Sequence, residues 1–282
     1  MKKLIMNMIL LLFLSMFYSS SVKAERILKP SELVGNALSQ YIDSSINTKE
    51  DLNALAEEII VKKCPTMGAV NQSTSDAITS PVIYLRNNVA KKTDKYTVIK
   101  SCVFANVLHS LCSNWNDKNN CTITALYNLT QFYKSIGYSK IPSNGTARYR
   151  NIRVQAVNLG YTSKNGLSVR KIDNLVENTW RRAFGYTSGD GNNDYLWSFS
   201  SAISELNAER PFLLSLASGY YYNHTVAVRG YKIYKNKRTG EKYTFLVLSD
   251  GWSDTDRYLA WTNTGASYYA CATWIIPPKK KN

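Results

Sequence analysis

Histidine is scarce in this 282-residue sequence: only His109 and His224 are present. Chemistry that needs an imidazole must use one of these two, and so few histidines argue against a histidine-based metal centre. Acid is short as well, with 20 Asp and Glu against 35 Lys and Arg, a formal net charge of +15. The basic residues are dispersed and no nucleic-acid-binding motif accompanies them, so nucleic acid is not expected as a partner. The imbalance favours anionic surfaces instead, such as cell-wall polymers, acidic lipid headgroups or acidic proteins. Internal repeats and low-complexity tracts are lacking.

A second long apolar run is also lacking. The first, Leu4 to Tyr18, follows Met1-Lys2-Lys3 and leads into Ser19-Ser20-Ser21-Val22-Lys23-Ala24. Val22 and Ala24 suit the small-residue positions of a signal-peptidase site. The run falls short of the roughly 20 residues that span a bilayer, and no Cys near Ala24 supports a lipoprotein anchor. We therefore expect a signal peptide over residues 1–24 and a secreted, extracellular protein with no stable membrane insertion after cleavage. An uncleaved signal anchor is the alternative.

Residues 25–100 read as a mainly helical N-terminal section, open to being a propeptide, a lobe or a partner surface. Leu33, Ala37, Leu38, Tyr41 and Ile42 repeat at helical spacing. Thr48-Lys49-Glu50-Asp51 opens a second helix with Leu52, Leu55, Ala56, Ile59 and Ile60 on one face. Residues 64–82 read as a loop. From 101 to 282 we expect one further domain. It begins with an amphipathic helical run over Lys100 to Leu111 that carries His109. A helix opened by Cys121 follows, with Ala125, Leu126, Leu129, Phe132, Tyr133 and Ile136 on one face, stopped by Gly137. Residues 138–200 read as turns and short segments, including the glycine-rich loop Ser188–Asn193, which lacks the context of a phosphate site. Phe212–Leu216 reads as a buried strand. Thr225–Tyr234 and Tyr243–Leu248 form a hairpin with a charged tip. Helices first and an antiparallel sheet later make the fold class α+β.

Chemistry concentrates at three places. Cys121 stands at a helix N-terminus, where unpaired N–H groups and the helix dipole favour a thiolate. His224 begins the strand-like run His224-Thr225-Val226-Ala227-Val228. Asp250-Gly251-Trp252 closes the hairpin that carries it, so Asp250 comes back beside His224 to accept its ring N–H, and Trp252 is placed to cover that bond. A thiol, an imidazole and an orienting acid in this order suit nucleophilic catalysis, which needs no cofactor. The bland reading of Asp250-Gly251 is a turn ending a strand.

These residues resemble papain-like cysteine peptidases. The likeness rests on Cys121-Thr122-Ile123-Thr124-Ala125, on His224-Thr225-Val226-Ala227-Val228-Arg229-Gly230-Tyr231 and on Asp250-Gly251-Trp252. It is nearest to bacterial secreted members, similar to streptopain and to the bacteriocin-processing (double-glycine) peptidase-like group. It covers roughly residues 110–255. It implies a papain-like fold, with the nucleophile helix packed on an antiparallel sheet and a Cys121–His224–Asp250 triad acting on a protein or peptide substrate. Two departures stand out. Thr122 and Ile123 replace the usual Gly and Pro. The upstream glutamine that completes the oxyanion site has no counterpart: Trp115 occupies its place, with Asn114 and Asn116 as the nearest amide donors.

Five cysteines leave one over if four pair. In an oxidising compartment Cys64, Cys102, Cys112 and Cys271 are then expected to form two bridges, Cys64 with Cys102 preferred, leaving Cys121 as the thiol. A metal site of His109, Cys112 and Cys121 is the competing use, though its spacing fits no familiar zinc motif. The leading expectation is a secreted cysteine peptidase. A cell-wall amidase or acyltransferase on the same fold, or an inactive binding or host-interaction protein on that scaffold, are the alternatives.

Overall fold

A computed structural model describes residues 49–68, 77–88, 91–217, 220–260 and 270–279. The expected signal peptide and the first helix of the N-terminal section lie outside the described residues. Within them, helix α1 spans Lys49–Lys63, followed by the two-residue strand β1 (Thr66–Met67) and by α2 (Pro81–Asn88). The loop expected over 64–82 therefore contributes a strand and the start of a helix. Strand β2 (Tyr96–Val103) comes next. The helix expected over Lys100–Leu111 does not form: β2 runs to Val103 and residues 104–111 are irregular. The Tyr-Thr-Val-Ile sequence that opens β2 is rich in β-branched and aromatic residues, and it overrides the weaker helical spacing behind it.

Helix α3 (Cys121–Ser135) is the centre of the domain, with nearly every residue from Cys121 to Tyr133 buried. Helix α4 (Gly145–Asn158) packs beside it. This helix falls in the stretch 138–200 read from sequence as turns and short segments; the Asn144 side chain accepts the Ala147 N–H at 2.9 Å and caps it. The strand β3 (Leu167–Ser168) leads into α5 (Ile172–Asn178), which continues as a π-helical turn. The glycine-rich loop then becomes an edge strand, β4 (Asp190–Asp194), and α6 (Phe199–Asn207) follows.

The remaining strands are β5 (Phe212–Leu216), β6 (His224–Asn236), β7 (Lys242–Ser249), β8 (Arg257–Ala260) and β9 (Ala270–Ile276). They form one antiparallel sheet in the order β4-β9-β5-β6-β7-β8, with β2 also paired to β6. The expected strand and hairpin stand where the sequence places them. Strand β6 organises the sheet. Its first half, His224 to Val228, pairs with β5, and its second half, Gly230 to Asn236, pairs with β2. The exchange of partners happens at Gly230, where a Cβ would lie 2.2 Å from the Cys102 carbonyl oxygen. Glycine is required there because backbone meets backbone. One apolar core joins α3, α4 and α5 to one face of the sheet, and a second packs α6 on strands β5, β6 and β7. The result is an α+β domain in which the helix that opens on Cys121 lies on the sheet that carries His224.

The Gly230 contact gives a test of this arrangement. Gly230→Ala should lower the unfolding free energy by about 1–3 kcal/mol or more, because the added methyl must displace the main chain of β2. Chemical denaturation measures it, and an unchanged midpoint contradicts the packing described.

Candidate active site

Helix α3 delivers Cys121 at its first residue, and β6 delivers His224 at its first residue. What holds these two ends together is one residue further along each element. The Thr122 hydroxyl donates to the Thr225 hydroxyl at 3.0 Å, and Thr225 in turn bonds Ser215 on β5 at 3.0 Å. All three are buried. Thr122, one of the departures from the family pattern, thus pins the start of the helix to the start of the strand. Cys121 is itself buried at 2 % exposure.

His224 is fully buried, with Trp252 stacked on its ring at a centroid distance of 3.9 Å and Tyr221 beside both, 5.9 Å from the His224 ring and 5.5 Å from Trp252. Its Nε2 lies 2.6 Å from the Asp250 main-chain carbonyl oxygen. A carbonyl can only accept, so Nε2 carries the proton and Nδ1 holds the bare lone pair. That Nδ1 is buried and has no hydrogen-bond partner among the described residues. Asp250 thus meets His224, but through its main chain. Its carboxylate faces the other way: Oδ1 accepts the N–H groups of Trp252 at 3.0 Å and Ser253 at 2.9 Å, and Oδ2 accepts from the Tyr221 hydroxyl at 3.2 Å. Burial raises the Asp250 pKa against those donors. The Asp250 side chain therefore builds the turn, and its main-chain carbonyl, not the expected carboxylate, meets the ring.

The loop before α3 packs under the same turn. Cys112 N–H donates to the Gly251 carbonyl at 2.8 Å, and the Asn120 side chain donates to the Cys112 carbonyl at 3.1 Å. Asn114 and Asn116 are exposed. Trp115 stacks on Tyr149 at 3.9 Å, and its buried indole N–H has no partner among the described residues. His109 is held elsewhere, by Asp256 at 3.2 Å and by Arg229, beside a shallow basin that Thr79 and Tyr258 help to line.

No disulfide joins the five cysteines, which corrects the expected pair of bridges. Cys64 bonds Asn223 Oδ1 at 3.0 Å, Cys102 lies near the Leu206 carbonyl in the second core, and Cys271 is buried in β9. Cysteine parity carries no geometry, and the fold sends these thiols to different neighbours. Cys64 and Cys112 both lie close enough to Cys121 for its charge to add to the burial that raises their own pKa, for Cys64 to about 11. Among the described residues no group of three His, Cys, Asp or Glu is arranged to hold a metal ion.

A helix that opens on a cysteine, pinned at its start to a histidine-bearing strand of an antiparallel sheet, is the architecture of papain-like cysteine peptidases. Residues 107–275 match the sequence model of the Peptidase_C39 like family, and the chain belongs to that family. Comparison with curated proteins and with solved structures gives no match.

Burial holds the His224 pKa down to about 4 from an ordinary 6.5, against the opposing pull of the Asp250 carbonyl. With the folded-state value depressed, the unfolded chain takes up the proton more readily. This ring's contribution to stability is present above pH 6.5 and is lost as pH falls through 4. Unfolding free energy should fall by about 2–3 kcal/mol over that window, a component absent from His224→Gln. Imidazole NMR should show the Nε2–H tautomer with a midpoint near 4. A midpoint at or above the ordinary value contradicts a buried neutral ring.

Proposed function

We propose that this protein is a secreted cysteine peptidase in which Cys121 is the nucleophile and His224 the general base and acid. The observation that carries the proposal is the orphaned Nδ1 of His224: a buried lone pair on a ring fixed by Asp250, next to the start of α3. Nδ1 takes the Cys121 proton as the sulfur attacks the peptide carbonyl, and then gives it to the departing amine nitrogen. The acyl group left on sulfur as a thioester is released by water, whose proton passes to Nδ1 and back to the thiolate. Asp250 positions the ring through its carbonyl, and Trp252 shields that bond from water. For the oxyanion we assign the main-chain N–H at the start of α3, where helix N–H groups favour negative charge. Asn114 and Asn116 stand in solvent, where a donor is worth little, so the proposal sets them aside. Secretion is supported by the N-terminal sequence alone. The excess of basic side chains supports action at anionic surfaces, on protein or peptide substrates.

Treating the protein with iodoacetamide or an E-64-type epoxide and mapping the labelled peptide tests this directly. Cys121 should react selectively among the five cysteines, with a pH dependence abolished in His224→Ala. An inert Cys121 contradicts the proposal.

The role of Asp250 has its own signature. Asp250→Asn keeps the carbonyl and an oxygen for the Trp252 and Ser253 amides, so activity should stay within about tenfold of the parent. A carboxylate that itself held the ring would cost roughly 10⁴-fold on the same change. Measured kcat on a peptide substrate decides between them.

A further inference from the structure

The two ends of strand β6 lie in different surroundings. His224 opens it in the buried site, and at about 3.3 Å per residue its last residue, Asn236, lies roughly 40 Å further on. Helix α6 covers one face of the sheet only part of the way along. It ends at Asn207, whose side chain accepts the Tyr231 hydroxyl at 2.8 Å. Beyond Tyr231 the alternation of a strand puts Ile233 and Lys235 on that same face. Lys100 of β2 stands opposite Ile233, with its ammonium 5.5 Å from the centre of the Tyr231 ring. Lys235 has Lys242 of β7 directly opposite on one side and Thr97 of β2 on the other. Thr97, Lys100, Lys235 and Lys242 are all exposed. The sheet therefore continues past its helix as an uncovered face that carries a cluster of lysines.

Like charges directly opposite each other on neighbouring strands destabilise a sheet. Lysine on an edge strand blocks pairing with other chains, and that use suits Lys100. It does not account for Lys235, which stands in a strand paired on both sides. More positive charge surrounds the cluster. Lys91, Lys92 and Lys95 are exposed in the residues leading into β2, and the Lys95 carbonyl accepts the Lys237 N–H at 2.8 Å, tying them to the hairpin tip. Of the two acids in residues 91–100 and 235–242, Asp94 is buried and holds Arg238 with both oxygens, at 2.7 and 2.8 Å. Glu241 is the other, against seven lysines. Apolar side chains lie among these cations. A register shift between Val98 and Lys100 leaves Ile99 out of the ladder, and Val98 and Ile99 are 46 % and 44 % exposed. A polyanion in water gives aliphatic side chains no cover, whereas the headgroup boundary of a bilayer meets both kinds of group.

We propose that this end of the sheet binds a bilayer rich in anionic headgroups, with Lys100, Lys235 and Lys242 against the phosphates and Val98 and Ile99 at the acyl boundary. Headgroup contacts then replace the repulsion between Lys235 and Lys242. Docked by this end, the protein holds the His224 end of β6 away from the membrane. The face gives a place to the action at anionic surfaces proposed above, and it is independent of Cys121 as nucleophile.

The test is sedimentation of the full chain with vesicles of phosphatidylglycerol and phosphatidylcholine, beside vesicles of phosphatidylcholine alone. The parent is compared with the triple variant Lys100→Gln, Lys235→Gln and Lys242→Gln; both share one N terminus, so the difference reports the face. Binding to the anionic vesicles should fall about a hundredfold in the variant, while iodoacetamide labels Cys121 at the same rate in both chains. Equal vesicle binding by the two chains, or parental binding as tight to phosphatidylcholine alone, overturns the proposal. So does capture by soluble polyphosphate with none by vesicles, which would make the partner a polymer. Should the variant fail to fold, acetylation of the unaltered protein serves instead. Anionic vesicles should protect Lys100, Lys235 and Lys242 and leave the exposed Lys164, before β3, as reactive as before; uniform reactivity at all four overturns the proposal.

Discussion

The hydrogen bond between Thr122 and Thr225 is the constraint on which the site depends. Neither residue performs chemistry, yet each follows one that is proposed to. Two elements more than a hundred residues apart in sequence are registered by one buried hydroxyl pair, extended to Ser215 on the neighbouring strand. Buried hydroxyls demand partners, and three of them satisfying one another fix the helix start against the strand start more narrowly than apolar packing does. The rest follows from that placement. The hairpin returns the Asp250 carbonyl to Nε2, the carbonyl fixes the tautomer, and the tautomer leaves Nδ1 bare.

Burial gives the site its electrostatic character. A ring with its pKa near 4 is neutral at working pH, and the thiols of Cys64 and Cys112 are neutral for the same reason. Taking a charge out of water costs more than a single carbonyl returns. The His224 ring is therefore held neutral by its surroundings and not by a charged partner.

Much of this was legible in the sequence, for identifiable reasons. Phe212–Leu216 and the Thr225–Leu248 hairpin announce themselves through β-branched and apolar runs around a charged tip. The helix from Cys121 follows from its apolar spacing, and with only two histidines the choice of His224 was narrow. Other features carried no such signal. Helix α4 lies in the stretch 138–200 that reads as turns and short segments, and residues 104–111 show helical spacing that strand β2 overrides. The Asp250 carboxylate and carbonyl are indistinguishable in a sequence, so the ring's true acceptor could not be read there. Counting cysteines suggested bridges that the fold does not make. The pairing of Thr66–Met67 with Leu167–Ser168 rests on two residues a side, too short for any periodicity to reveal.

The central claim, that the hydroxyl pair registers the Cys121 end of the helix against the His224 end of the strand, is tested most directly by a double-mutant cycle on Thr122→Val and Thr225→Val. Both stability and the rate of Cys121 labelling are read. The account predicts a coupling energy of about 1 kcal/mol in stability, with the double variant labelling no more slowly than the worse single one. Strictly additive losses, or single variants that label at the parental rate, would contradict it.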